Sequence, residues 1–174
     1  LDIDSLENLY EYYCLIRLLR DFEVKPCNIK SLVKKDKFGW VIDKSCHVLI
    51  GHLNDKSLTL SFKNKFSKNV GSYSQTYDPD YTIKISKKNK NVYFHLDAKY
   101  KLNNGKVKKE DIDKMHTYTH AIKNSIGAYV LFPGGENVNY TCENSIIGGF
   151  FCTPLEHQSL KTEVERVLEQ IGKI

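Results

Sequence analysis

Asp80 and Asp97 have the types and spacing to grip a divalent cation, with Lys99 placed beside them to act on a reacting group. They lie in the stretch DPDYTIKISKKNKNVYFHLDAKY, residues 78–100. Tyr81, Ile83 and Ile85 alternate with polar residues, and so do Val92, Phe94, Leu96 and Ala98. That period predicts two half-buried strands. A hairpin closing over Lys88 and Asn89, or over a slightly wider loop with the same centre, sets Tyr81 opposite Leu96. Ile83 then faces Phe94 and Ile85 faces Val92, so every apolar residue meets an apolar partner. The same register sets Asp80 opposite Asp97, with Lys99 two residues further on, all on the face away from the apolar one. Directly opposed residues have Cα atoms about 4.5 to 5.5 Å apart. Two carboxylates that close repel each other and call for a cation. A divalent metal satisfies them most simply, because hard cations take carboxylate oxygens. Octahedral oxygen ligation suits Mg²⁺ or Mn²⁺. The Lys99 ammonium would then act on a phosphate or a water. The competing reading is a solvated polar face.

Asp80 followed by Asp97-Ala98-Lys99 at the end of an apolar strand resembles the PD-(D/E)XK motif of the restriction-endonuclease-like superfamily. Pro79-Asp80 matches its optional proline. LYEYYCLIRLL near the start and KKEDIDKMHTYTHAI after the motif resemble a prokaryotic family of nuclease-like domains associated with McrBC-like or LlaJI-like restriction systems. The resemblance runs from about Leu6 to Pro154. It implies an α/β fold with a restriction-endonuclease-like core, a central mixed β-sheet flanked by helices. It also implies a Mg²⁺-dependent or Mn²⁺-dependent DNA endonuclease. Asp80, Asp97 and the Ala98 carbonyl would hold the metal. Glu11 would complete the site directly or through water, and Lys99 would orient or deprotonate the attacking water or stabilise charge on the phosphorane. By analogy with related nucleases, Lys114 and Tyr118 contact DNA or the site, with His116 a lesser candidate. Relatives commonly carry Arg-Asp after this tyrosine, where this chain has Thr119 and His120. The implied partners are DNA, an McrB-like AAA+ NTPase subunit, and a second copy of the domain for double-strand cutting. The alternative is a catalytically inactive module of the same fold that binds DNA or an NTPase partner. If the site is catalytic, Asp97→Asn or Lys99→Ala should abolish cleavage and leave the melting temperature nearly unchanged.

Composition narrows the class. A chain of 174 residues with 41% hydrophobic residues can bury one core, and we read it as one nuclease-like domain spanning residues 1–174. Its sole methionine is Met115, so we expect a fragment of a longer chain. Five cysteines without a CxxC pair read as reduced thiols of a cytoplasmic protein rather than as a zinc site. No apolar run is long enough for a membrane span, and no Walker motif occurs. The net charge of +5 suits nucleic acid. It is carried by clusters at Lys34, Lys35 and Lys37, at Lys63, Lys65 and Lys68, at Lys84, Lys87, Lys88 and Lys90, and at Lys101, Lys106, Lys108 and Lys109. Basic clusters supply non-specific phosphate affinity or simply solubility.

The elements that must position these groups are legible to different degrees. Asp4 or Ser5 can cap a helix that runs to about Asp21, with Glu7 placed to answer. Leu6, Leu9, Tyr10, Tyr13, Ile16 and Arg20 line one side; Cys14, Leu15 and Leu18 make the other apolar too. Such a helix should be packed on more than one side. Glu11 within it needs a cation or donor, since an unpaired buried carboxylate is costly; Arg17 is one available partner. Residues 29–33 read as a short helix. Strands are predicted at 38–42 and 47–50, and more clearly at Leu58, Leu60 and Phe62. Trp40 reads as core or rim. Residues 63–75 form a basic connection, in which Tyr73 and Tyr77 either stack on bases or pack. Asn103-Asn104-Gly105 breaks the chain. A helix is predicted over 107–124 with Ile112, Met115, Thr119, Ile122 and Ile126 on one side; Tyr118 there packs against a sheet or serves the site. Strands follow at 127–132 and 146–151, the second interrupted by Gly148 and Gly149. A helix over 155–171 turns Val164 and Leu168 inward and Glu163, Glu165 and Glu169 outward. His157 and His120 read as surface or capping residues.

Overall fold

The structure, a computed structural model, describes residues 6–37, 39–43, 46–100, 105–142, 145–154 and 159–171. The proposed Asp4 or Ser5 cap, Phe38, Lys101, Asn103, Asn104 and His157 lie outside the described residues, as does the Trp40 side chain.

Helix α1 (Leu6–Asp21) is followed by a short helix α2 (Pro26–Ile29) and a small hairpin of β1 (Val33–Asp36) and β2 (Gly39–Ile42). Strands β3 (His47–Leu53), β4 (Lys56–Phe62), β5 (Tyr81–Lys87) and β6 (Lys90–Ala98) then run as an antiparallel meander. Helix α3 (Lys109–Ala121) carries the chain across to β7 (Ser125–Phe132), which pairs parallel to β6. Strands β8 (Val138–Cys142) and β9 (Ser145–Phe151) and helix α4 (Leu160–Ile171) complete the order. The seven-stranded mixed sheet has the order β3-β4-β5-β6-β7-β9-β8 and is flanked by helices. This is the α/β architecture that the sequence implied.

The central hairpin has the register set by its apolar alternation. Tyr81 pairs with Leu96, Ile83 with Phe94 and Ile85 with Val92. Lys87 pairs with Lys90, so Lys88 and Asn89 form the turn, with Lys88 at φ +50°. Positive φ at the first position is what a two-residue hairpin turn of the favoured hand demands.

Two hydrophobic layers sandwich the sheet. Cys14 and Leu18 of α1, and Val164 and Leu168 of α4, pack on Tyr81, Ile83, Phe94, Leu96, Tyr129 and Phe150. Met115, Tyr118 and Ile122 pack with Phe66 on Ala128, Val130, Phe132 and Ile147. The second layer changes one expectation. The polar face of β5 and β6 is not left to water, because α3 and the β4–β5 connection cover it. Thr82, His95 and Asp97 are therefore all buried. His95 is held neutral, its ring pushed down to about 3 by burial, and its Nδ1 lies 3.1 Å from Thr82 Oγ1.

Other expectations need correction. Leu6, Leu9 and Ile16 are exposed, so α1 buries one side rather than several. That side is pinned by Tyr10 Oη donating to the Cys152 carbonyl at 2.8 Å and Arg17 Nη1 donating to the Thr153 carbonyl at 2.8 Å. Residues 29–33 are not one helix: a 3₁₀ turn ends at Leu32 and Val33 opens a strand. Residues 138–142 form a strand not predicted from the sequence, although Val138, Tyr140 and Cys142 alternate with Asn139 and Thr141. Glu163 is buried, with Arg166 Nη2 at 2.9 Å from its carboxylate. Ile126 belongs to β7, not to the α3 stripe. Among the described residues no helix is long and apolar enough to cross a membrane. Cys14 and Cys152 are free thiols with sulfurs 3.9 Å apart.

The connection from β4 to β5 doubles back on itself. Phe66 and Tyr77 exchange backbone hydrogen bonds of 2.9 Å, and Phe66 sinks its ring beneath the sheet edge-on to His95.

Candidate active site

The site sits where β5 begins and β6 ends. One step beyond the Tyr81–Leu96 pair, Asp80 lies across from Asp97. Asp80 Oδ2 accepts from the Ala98 backbone N–H at 2.9 Å, which ties the carboxylate to the end of β6. Both aspartates are buried, at 4% and 0% exposure. Lys99, the first residue after β6, reaches back to Asp97 Oδ2 at 2.5 Å. Its Nζ also lies 3.3 Å from the Ala98 carbonyl.

Helix α3 supplies the other partners of Asp97. Lys114 Nζ donates to Oδ1 and Oδ2 at 3.2 and 3.0 Å. Tyr118 Oη donates to Oδ1 at 3.2 Å. One helical turn separates them, so both meet the same carboxylate. Tyr118 also packs edge-on against Tyr77, so its packing and polar roles coexist. His116 and His120 stack on each other with centroids 6.4 Å apart. Tyr73 is exposed, with Lys123 Nζ 5.4 Å from its ring centre.

Glu11 meets Asp80, though not Asp97, through a residue absent from the sequence-based set of site residues. Lys63 Nζ lies 2.7 Å from Glu11 Oε2 and also contacts Asp80 Oδ1. Lys63 follows β4 and continues its ladder, donating its N–H to the Asp80 carbonyl at 2.8 Å. Since Phe62 pairs with Tyr81, position 63 falls opposite position 80. The sequence signals were its place just after an alternating strand and its membership of the Lys63, Lys65 and Lys68 cluster; the register that brings it to Asp80 spans a long connection.

The electrostatics split the two aspartates. Burial, then the Asp97 charge, pushes the Asp80 carboxyl up to about 6, against the pull of Lys63. Asp97 feels burial too, but Lys99 and Lys114 outweigh it and hold its carboxyl below the usual range. Burial disfavours the ammonium of Lys99, yet Asp97 and Asp80 keep it charged with a raised pKa. Lys63 is likewise raised, Asp80 and Glu11 overcoming its desolvation. Environments that push paired groups apart mark functional sites.

An open cavity of about 410 Å³ adjoins the cluster, lined by Glu7, Glu11, Ala98, Lys99, Lys108 and Asp111 among others. Burial raises the Asp111 carboxyl despite the nearby Lys99.

The oxygen set of Glu11, Asp80, Asp97 and the Ala98 carbonyl fits a hard divalent ion by chemistry. Among the described residues, however, no three His, Cys, Asp or Glu side chains are grouped as around an ion. Lysine ammonium groups stand against the carboxylates instead.

A profile of the PD-(D/E)XK nuclease superfamily matches residues 8–137, from α1 to the turn before β8. The chain belongs to the PD-(D/E)XK nuclease superfamily. Comparison with curated proteins returns no match, and comparison with solved structures returns none.

Asp80 also sets a pH dependence. An unfolded aspartate titrates near 3.9, so the folded state binds this proton more tightly than the unfolded chain does. The group therefore adds stability at low pH, and that contribution is lost as the pH rises through about 6. In EDTA, the melting temperature of Asp80→Asn relative to wild type should rise between about pH 4 and pH 7. Thermal melts across that range check it. A difference independent of pH would refute the raised Asp80 carboxyl.

Proposed function

We propose that this domain hydrolyses DNA phosphodiester bonds with Mg²⁺ or Mn²⁺, as the cleavage component of a restriction or defence system. The observation that carries the reading is the meeting of Asp80 and Asp97, on paired strands, with a charged lysine on each. Asp80, Asp97, the Ala98 carbonyl and Glu11 would hold the ion. Bound there, it would supply Lewis-acid charge at the phosphate and acidify nearby water. Lys99 enters the reaction as an ammonium. That charge suits stabilisation of the phosphorane; service as a base would first require Asp97 to release it. Lys114 and Tyr118 fix the Asp97 carboxylate from one side, leaving its position set before substrate arrives. Lys108 shares the adjoining cavity with Lys99 and offers a contact for a flanking phosphate. DNA rather than RNA follows from the restriction-system resemblance. That resemblance also supports a AAA+ NTPase partner, and double-strand cutting calls for a second copy of the domain.

Supercoiled plasmid and single-stranded DNA incubated with Mn²⁺ should be nicked and degraded, and EDTA should stop it. Intact DNA after incubation with either metal would reject the reading. A catalytically inactive module is favoured by a separate observation. All four oxygens of Asp80 and Asp97 already have protein donors. That reading requires no Mg²⁺ or Mn²⁺ effect on the melting temperature.

A further inference from the structure

We infer that Lys63 is a tethered counter-cation: its ammonium joins Glu11 to Asp80 where a divalent ion would, and it must leave when the ion binds. The inference rests on the metal-dependent reading above. Glu11 comes from α1 and Asp80 from the start of β5, so two like charges from separate elements converge on one ammonium. Its distance to Glu11 Oε2 is 2.7 Å, and it contacts Asp80 Oδ1 directly. The side chains of Lys63, Glu11 and Asp80 are only 23%, 20% and 6% exposed. In such a place the two carboxylates, when both are ionised, need a cation, or they repel each other and strain the packing of α1 on the sheet.

The lysine backbone is fixed, and its head is held by the two carboxylates it joins. Its N–H is bonded to the Asp80 carbonyl at 2.8 Å, and its φ of +53° turns the chain away from β4. The ammonium rides on a flexible four-carbon stem that is partly open to solvent. A group anchored this close competes as if present at high concentration. Ammonium and metal ion cannot occupy the same oxygens, so each weakens the other's hold by the same factor. The metal-free domain thereby keeps its acidic site assembled, and the threshold metal concentration is set by an internal competitor.

Thermal melts against Mn²⁺ concentration test this with wild type, Lys63→Met and Lys63→Arg. Lys63→Met should melt lower in EDTA, and its Mn²⁺ midpoint should fall about tenfold, within the usual range of coupling between sites. Lys63→Arg, which keeps the charge, should not show that fall. A wild type that responds to Mn²⁺ with the same midpoint as Lys63→Met overturns the inference and leaves the metal reading standing. No response to Mn²⁺ in either protein overturns both. Amine labelling of the wild type, read by mass spectrometry, covers the case in which Lys63→Met does not fold. Saturating Mn²⁺ should raise labelling of Lys63 several-fold while exposed Lys88 stays constant. Unchanged Lys63 labelling refutes the inference.

Discussion

Asp97→Asn should lower Mn²⁺-dependent DNA cleavage by at least about a thousandfold, because one charged oxygen ligand is worth several kcal/mol at a reacting phosphate. The substitution removes the group on which Lys99, Lys114 and Tyr118 all converge. The sequence alone suggested an unchanged melting temperature. The buried position corrects that. Asparagine still accepts from Tyr118, but Lys99 and Lys114 lose the carboxylate they both contact, and only the more distant Asp80 and Asp111 remain to offset Lys99. Breaking a fully buried pair costs about 3–5 kcal/mol. Here both lysines are partly exposed and can turn to water, so the loss should be about 1–2 kcal/mol, or roughly 3–6 °C. Plasmid cleavage and thermal melts measure the two halves independently. Cleavage within tenfold of wild type would remove Asp97 from the chemistry.

Gly148→Ala should unfold the edge of the sheet. A Cβ there would stand 2.0 Å from the Val138 carbonyl oxygen and 2.8 Å from the Tyr129 ring. The first neighbour is backbone, in the strand paired to Gly148, and cannot rotate aside. Relief requires β8 and β9 to separate. That disturbs Tyr129, which stacks on Phe150 at 4.3 Å and donates to Asn139 Oδ1 at 2.7 Å. The cost should be at least about 3 kcal/mol, the upper range of overpacking, lowering the melting temperature by roughly 6–12 °C. A loss below about 1 kcal/mol would show that β8 yields without consequence.

The hairpin of β5 and β6 was legible because both strands share a short turn and a strict alternation, so one register satisfies every pair. Helices α1 and α3 were legible for the same local reason. Periodicity shows which residues share a face but not what covers it. The alternation implied strands buried on one face only, yet α3 and the β4–β5 connection also bury Thr82, His95 and Asp97 on the other. Leu6, Leu9 and Ile16 looked like core because nothing in α1 itself marks the uncovered side. Gly148 and Gly149 looked like breaks in a strand, yet they let neighbours approach closely. Lys63 was hidden by distance along the chain. The pairing of β4 with β5 is decided by tertiary packing across a long connection, which no local pattern records. Glu163 was misjudged because α4 buries it while its partner Arg166, one turn on, reaches it from the partly exposed edge of the helix.

The excursion between β4 and β5 resembles a purse drawn shut at its mouth. Lys63 and Asp80 form the drawstring, and the Phe66–Tyr77 pair closes the neck a few residues further out. Beyond the neck, Ser74, Gln75 and Thr76 are solvent-facing. Ser72 and Tyr73 tie that outer rim to its own backbone and to the end of α3, so its exposed side chains can change without moving the two charged residues at the mouth. A change of surface chemistry there leaves the charged cluster at the mouth where it is.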